Sequence, residues 1–214
     1  MSVESQNLKT ALSAAPIVPV LTVERVEDAA PIAAALAGGG IRVAEVTLRT
    51  PAALPALAAM RREVPDLVLG AGTITQVDHI SAAIESGAQF LVSPGTPPTL
   101  TDALLGCGVP ALPGVATAGE AMTLVDAGFE ILKLFPAVPV GGVGLLKSLN
   151  SPLPDILFMP TGGVNAKNAQ EFLALPNVIA VGGSWMVRGD DVAAGNWAAI
   201  EDAARAAVNL GLSE

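Results

Sequence analysis

The sequence predicts an α/β fold, a single (β/α)8 TIM barrel with an extra helix at its N-terminus, and three observations predict it. Eight short apolar runs recur along the whole chain, with starts 19 to 27 residues apart. Alanine-rich segments with helix-start chemistry lie between the runs, and strands that alternate with helices pair in parallel because parallel neighbours require a crossover. Glycine stands just ahead of several runs, at Gly40, Gly87, Gly108 and Gly128, which suits a helix end entering a strand.

Taken in order, the chain opens on Val3–Ala14, the extra helix (residues 1–15), placed to cover the barrel bottom. The eight runs are Ile17–Val23, Ile41–Leu48, Leu67–Ala71, Gln89–Ser93, Pro110–Val115, Phe129–Phe135, Ile156–Pro160 and Val178–Val181. Thr50-Pro51 places a cap before a proline whose missing N–H the first helical turn does not need. Thr75-Gln-Val-Asp78 repeats the idea before Val77, Ile80 and Ile84, and Gly87 closes that helix. Thr117-Ala-Gly-Glu120 reads as a capping box, each side chain satisfying a backbone N–H of the other. The rival is an open doubly wound sheet, but no GxGxxG follows the first run and the glycine pairs cluster after the last two. No linker, low-complexity tract or charge run interrupts the chain, so residues 1–214 read as one domain. That length lies near the short end of the range for this barrel, about 200–400 residues.

Composition narrows the function. Hydrophobic residues make up 51% and charged residues 14%, which excludes a disordered chain. Eleven basic against twenty acidic residues give a net charge of −9, a surface that repels phosphate backbones and anionic headgroups; neither nucleic acid nor a membrane is an expected partner. The mean hydropathy is +0.57, yet the longest uncharged stretch, Ala103–Gly119, is punctuated by Gly106, Gly108, Pro110, Pro113 and Gly114. The start carries Glu4 and Lys9 where a signal peptide would have a basic end and an apolar block, so the expected location is the cytoplasm. The single cysteine, Cys107, is compatible with a reducing compartment, and the single histidine, His79, excludes a metal site built on several imidazoles.

Charges within apolar runs carry the functional signal. In the second run, Ile-Arg-Val-Ala-Glu-Val-Thr-Leu-Arg (41–49), alternation puts Glu45, Thr47 and Arg49 on one face. In the sixth, Phe-Glu-Ile-Leu-Lys-Leu-Phe-Pro (129–136), Lys133 sits between Leu132 and Leu134. Burying either charge alone costs several kcal/mol, so the two must be paired or discharged. Runs two and six face each other across a barrel. A structural ion pair is the plainer account of one such residue; a lysine and a glutamate in opposed strands favour chemistry. A neutral amine attacks a carbonyl, and Glu45 is placed to shuttle the protons.

A second signal is glycine-rich and late. Pro160-Thr161-Gly162-Gly163 follows run seven and Gly182-Gly183-Ser184 follows run eight. Glycine lets bare N–H groups approach an anion, and the loops after strands seven and eight are the usual phosphate site of this barrel. Arg49 ends run two and Thr73 follows run three in Gly70-Ala-Gly-Thr73, both at the C-terminal mouth where a guanidinium fork suits a carboxylate. His79 reads as a solvent-facing helix residue, Cys107 as part of a helix-end turn, and Trp185 and Trp197 as packing. These residues alone leave open a metal-free phosphosugar isomerase, epimerase or decarboxylase barrel, and a non-catalytic phosphosugar-binding barrel.

The motifs EVTLRT (45–50), GAGT (70–73), SPG (93–95), LKLFPA (132–137), PTGGV (160–164) and GGSW (182–185) resemble those of the 2-keto-3-deoxy-6-phosphogluconate (KDPG) and 4-hydroxy-2-oxoglutarate aldolase family, class I aldolases of the Entner–Doudoroff pathway. The resemblance runs from residue 16 to 187. It implies a lyase that cleaves 2-dehydro-3-deoxy-6-phosphogluconate to pyruvate and glyceraldehyde 3-phosphate, and 4-hydroxy-2-oxoglutarate to pyruvate and glyoxylate. It further implies a covalent lysine imine with no cofactor or metal, and a homotrimer. Motif by motif, the imine lysine falls on Lys133 and the proton-transfer glutamate on Glu45. The pyruvate carboxylate contacts fall on Arg49 and Thr73, and Pro94 and Phe135 wall the pyruvyl pocket. Gly162, Gly163, Gly183 and Ser184 fall on the phosphate contacts, and Thr161 lines the aldehyde end and its stereoselectivity. The chain departs from relatives at Met159, in Gly114-Val-Ala-Thr117 and in the loop Ala137–Gly142 after the lysine.

Overall fold

The computed structural model describes residues 3–212, with side chains from 6 to 211. The ends of the expected leading helix and domain, residues 1–2 and 213–214, lie outside the described residues. In chain order, α1 (Val3–Ala14) leads to β1 (Ile17–Leu21), α2 (Ala29–Gly38), β2 (Val43–Thr47), α3 (Ala53–Glu63), β3 (Val68–Gly72), α4 (Asp78–Glu85), β4 (Phe90–Val92) and α5 (Pro98–Leu105). There follow β5 (Ala111–Leu112), β6 (Gly114–Val115), α6 (Ala118–Asp126), β7 (Ile131–Leu134), α7 (Gly142–Asn150), β8 (Leu157–Phe158), α8 (Ala169–Leu173), β9 (Val181–Gly183), α9 (Gly189–Ala193) and α10 (Trp197–Leu212).

The strands pair in parallel and form a curled sheet in two arcs, β5-β4-β3-β2-β1-β9 and β6-β7-β8. Single bridges from Phe158 to Val178 and from Thr161 to Gly182 connect the line of β8 to that of β9. The fifth expected run is split. Pro113 has no N–H to offer a ladder, so β5 and β6 flank it; its carbonyl accepts from the Lys133 N–H at 2.9 Å, and the Gly114 N–H turns to Ser93 Oγ at 3.1 Å. The eighth run lies later than expected. Pairing with β1 begins only where Val181, Gly182 and Gly183 meet Ile17, Val18 and Pro19, while the Val178 N–H is taken by a turn to Leu175.

The helix starts divide in the same way. At α6 the capping box forms: the Glu120 N–H donates to Thr117 Oγ1 at 3.3 Å, and the Glu120 carboxylate accepts from the N–H groups of Thr117 and Ala116 at 2.9 and 2.7 Å. Thr50 does not cap α3, whose N-cap is Ala52; its hydroxyl donates to the Val23 carbonyl at 2.5 Å and ties that loop to the one after β1. Thr75 does not cap α4 either, because the helix begins at Asp78 after an N-cap at Val77. Instead its N–H donates to Nδ1 of His79, which is half-buried rather than solvent-facing.

Alternation along the strands sorts the core into two clusters. Outward residues such as Ile17, Leu21, Ala44, Val46, Leu69, Leu91, Leu132 and Leu134 pack against the surrounding helices, joined by the half-buried Trp185 and Trp197. Inward residues Val18, Val43, Phe90, Val92, Leu112, Ile131, Met159 and Ile179 form a second cluster, into which α1 inserts Leu8 and Leu12, at 5% and 0% exposure. Burial of one leucine side chain contributes about 1.5–3 kcal/mol, so α1 is bound to the sheet by its apolar face. Among the described residues, no helix is long and apolar enough to cross a membrane.

Candidate active site

Glu45 continues the inward row of Val43 on β2, and Lys133 continues that of Ile131 on β7. Their side chains converge from these two strands: Nζ of Lys133 lies 3.1 Å from Oε1 and 3.3 Å from Oε2 of Glu45. Glu45 is 0% and Lys133 2% exposed. The ring of Phe135 stands 5.4 Å from Nζ. A carboxylate and an ammonium without water cost several kcal/mol each, and only good mutual geometry offsets this. The arrangement can present a dry amine to an electrophilic carbon, with a carboxylate in reach of every proton that amine must lose or gain.

Arg49 lies two residues beyond the end of β2, in a turn where its N–H donates to the Thr47 carbonyl at 2.8 Å, so strand alternation does not by itself set its direction as the sequence suggested. It is exposed, and Nε donates to Thr73 Oγ1 at 3.0 Å. Thr73 has φ +63°, the one non-glycine positive φ among the described residues. A β-branched residue there costs on the order of 1–3 kcal/mol. The hydrogen bonds from Leu48 N–H to Gly72 O (2.8 Å) and from Ile74 N–H to Val92 O (3.0 Å) hold it in place. Both groups stand at the C-terminal ends of β2 and β3.

The glycine segments meet nearby. Gly162 and Gly163 have φ +99° and +82°, and among the described residues their N–H groups donate to no protein acceptor. The loop after β7 is fastened to them by Ala137 N–H to Thr161 O at 2.8 Å and Val138 N–H to Gly162 O at 3.0 Å. Thr161 is buried at 5% exposure and packs where a Cβ at Gly182 would stand, 2.3 Å from its hydroxyl. Ser184 follows Gly183 and is exposed. It borders a cavity of about 640 Å³ shared with Thr22 and Arg25.

Pro94 and Phe135 are half-buried at the ends of β4 and β7. Three supporting residues escaped the sequence reading. Ser93, 0% exposed, joins Thr96 hydroxyl to hydroxyl at 2.8 Å and receives the Gly114 N–H. Gly114 pairs in register with Lys133 and leaves room for Pro94, whose carbonyl carbon would lie 2.4 Å from an added Cβ. Gly72 does the same for Glu45. The available signal was weak: small residues alternating on inward faces, and one serine closing an apolar strand. Cys107 donates its thiol to Leu104 and Val109 carbonyls in the turn after α5, as expected. Among the described residues no group of three or more His, Cys, Asp or Glu could hold a metal ion.

Comparison with known proteins shows the family. The family model for KDPG and KHG aldolase matches residues 8–203. The chain is 45% identical over 196 residues to a 2-dehydro-3-deoxy-phosphogluconate aldolase of Pseudoalteromonas atlantica, covering 92% of this chain and 91% of that protein. It is 43% identical over 198 residues to the KHG/KDPG aldolase of Escherichia coli K12, covering 92% of each. Its fold matches a crystal structure of KDPG aldolase from Legionella pneumophila with pyruvate captured at low pH as a covalent carbinolamine, with a TM-score of 0.90 and 40% identity over 92% of this chain and 96% of that one.

Proposed function

The chain belongs to the KDPG and KHG aldolase family, and on that premise we propose that it is a class I aldolase cleaving 2-dehydro-3-deoxy-6-phosphogluconate to pyruvate and glyceraldehyde 3-phosphate. One observation carries the reading: a buried lysine amine held 3.1 Å from a buried carboxylate. Unprotonated Lys133 attacks the C2 ketone, and Glu45 delivers the proton with which the carbinolamine loses water to an iminium. The iminium withdraws electrons, so the C3–C4 bond breaks as Glu45 takes the C4 hydroxyl proton and the aldehyde departs. The remaining enamine is protonated at C3 and hydrolysed to pyruvate and free Lys133.

Arg49 and Thr73 receive the substrate carboxylate, Pro94 and Phe135 wall the pyruvyl half, and Thr161 meets the aldehyde end. The unpartnered N–H groups of Gly162 and Gly163, with Gly183 and Ser184, suit the phosphate; this favours the phosphorylated keto acid over 4-hydroxy-2-oxoglutarate, which shares only the pyruvyl half. We further read the two arcs and the bridges between β8 and β9 as one closed (β/α)8 barrel and residues 1–214 as one domain. In our reading the protein is a cytoplasmic homotrimer.

The test is borohydride reduction in the presence of pyruvate, followed by mass spectrometry of the Lys133 peptide. One reduced pyruvyl group on that lysine is expected. An unmodified Lys133, or an adduct confined to Lys9, Lys147 or Lys167, overturns the assignment.

A further inference from the structure

Two glycines alternate on the inward face of β3, and each makes room for a neighbour's side chain. A Cβ at Gly70 would stand 2.3 Å from the ring of Phe90. At Gly72 it would stand 1.8 Å from Oε1, 2.5 Å from Cδ and 2.6 Å from Cγ of Glu45. Gly72 has no positive φ, so its backbone suits any residue; space is what requires glycine there. The backbone cannot retreat. Gly72 pairs in register with Thr47, its carbonyl accepts the Leu48 N–H at 2.8 Å, and the adjacent Ala71 pairs with Leu91 on the other side. Glu45 is the mobile partner, yet it is fully buried and its Oε1 is held 3.1 Å from the Lys133 amine.

We propose that Gly72 is a positioning residue for the aldol cleavage: its bare Cα is the floor on which the Glu45 carboxylate rests, so the carboxylate stays within proton-transfer reach of the imine nitrogen and the C4 hydroxyl. The inference rests on the role proposed above for Glu45. A methyl group added at position 72 displaces the whole outer half of the Glu45 side chain. Misplacing a general acid/base by about 1 Å forfeits much of the roughly 100- to 10,000-fold it supplies.

The experiment is a mutant cycle on the full chain, assayed by coupling pyruvate release to lactate dehydrogenase. Gly72→Ala is expected to lower kcat at least about 100-fold with a smaller change in KM, because Arg49 and Thr73 are untouched. In a Glu45→Ala background, where the three colliding atoms are gone, the same substitution is expected to change kcat less than about threefold. A Gly72→Ala enzyme with near-wild-type kcat overturns the proposal, as does an equal loss in the wild-type and Glu45→Ala backgrounds. If Gly72→Ala alone fails to fold, the comparison moves to a Glu45→Ala/Lys133→Met background, which leaves neither charge of the pair buried: recovery of soluble Gly72→Ala protein there supports the contact and continued failure overturns it. Full activity of Glu45→Ala by itself would instead overturn the role of Glu45.

Discussion

Arg49 reaches from the end of β2 to the end of β3, its Nε 3.0 Å from the hydroxyl of Thr73, and the residue it grips is the one non-glycine among the described residues with a positive φ. At φ +63° glycine would be at ease. We expect Thr73→Gly to be more stable than Thr73→Ala by about 1 kcal/mol, since both lose the hydroxyl but only alanine keeps the strain. Both variants should raise KM for the keto acid at least about tenfold, the worth of a hydrogen bond to a charged group. Urea denaturation and steady-state kinetics check the two halves; equal stabilities or an unchanged KM would contradict them.

The Lys133–Glu45 pair separates stability from activity. Glu45→Gln keeps the shape but removes the proton acceptor, so kcat/KM should fall by about 100- to 10,000-fold. Lys133→Met should abolish turnover and cost about 3–5 kcal/mol, because it leaves a carboxylate buried without its partner. Adding Glu45→Leu should recover most of that stability and none of the activity. A Lys133→Met protein as stable as the wild type would show the carboxylate to be hydrated.

At α6 the carboxyl of Glu120 is held below the usual carboxylate range, first by the Ala116 N–H and then by Thr117, against the opposing effect of partial burial. A depressed folded value means that the stabilisation is present above the unfolded value, near about 4.3, and is lost as pH falls through the folded one. Wild type should therefore exceed Glu120→Gln in stability at pH 7, and the gap should close in acid. Thr117→Ala, which removes the other half of the box, should cost about 0.5–2 kcal/mol. Chemical denaturation from neutral to acidic pH measures both; a gap that widens in acid would refute the sign.

Gly182→Ala would press on the Thr161 hydroxyl, 2.3 Å from the added carbon. Thr161 lies at the aldehyde end in the proposed site, so the variant should alter the ratio of kcat/KM between the gluconate substrate and its galactonate epimer while still forming the pyruvate imine. A ratio unchanged within about twofold, inside the usual additivity error, would remove Thr161 from stereochemical control.

Glu45 and Lys133 were legible because a charge in an apolar run has few physical explanations, and two such charges on facing strands have fewer. The alternation of parallel strand and helix was legible too, from the spacing of the runs. Strand edges were less so. Val178 belongs to an apolar run, but apolarity reports burial rather than pairing, and the register with β1 begins only at Val181. Thr50 and Thr75 look like caps beside Thr117, yet only the last finds its glutamate three residues on in a helix that starts there. Gly72 was quoted within a motif without a purpose, because its purpose lies on another strand.

The leucines that α1 drives into the base of the sheet have a bearing on chemistry they never touch. They complete the inward apolar cluster on the strands that carry Glu45 and Lys133, so the dryness of the reactive amine depends in part on a helix more than a hundred positions away in the chain. Trimming this helix should therefore cost stability and admit water toward the amine together.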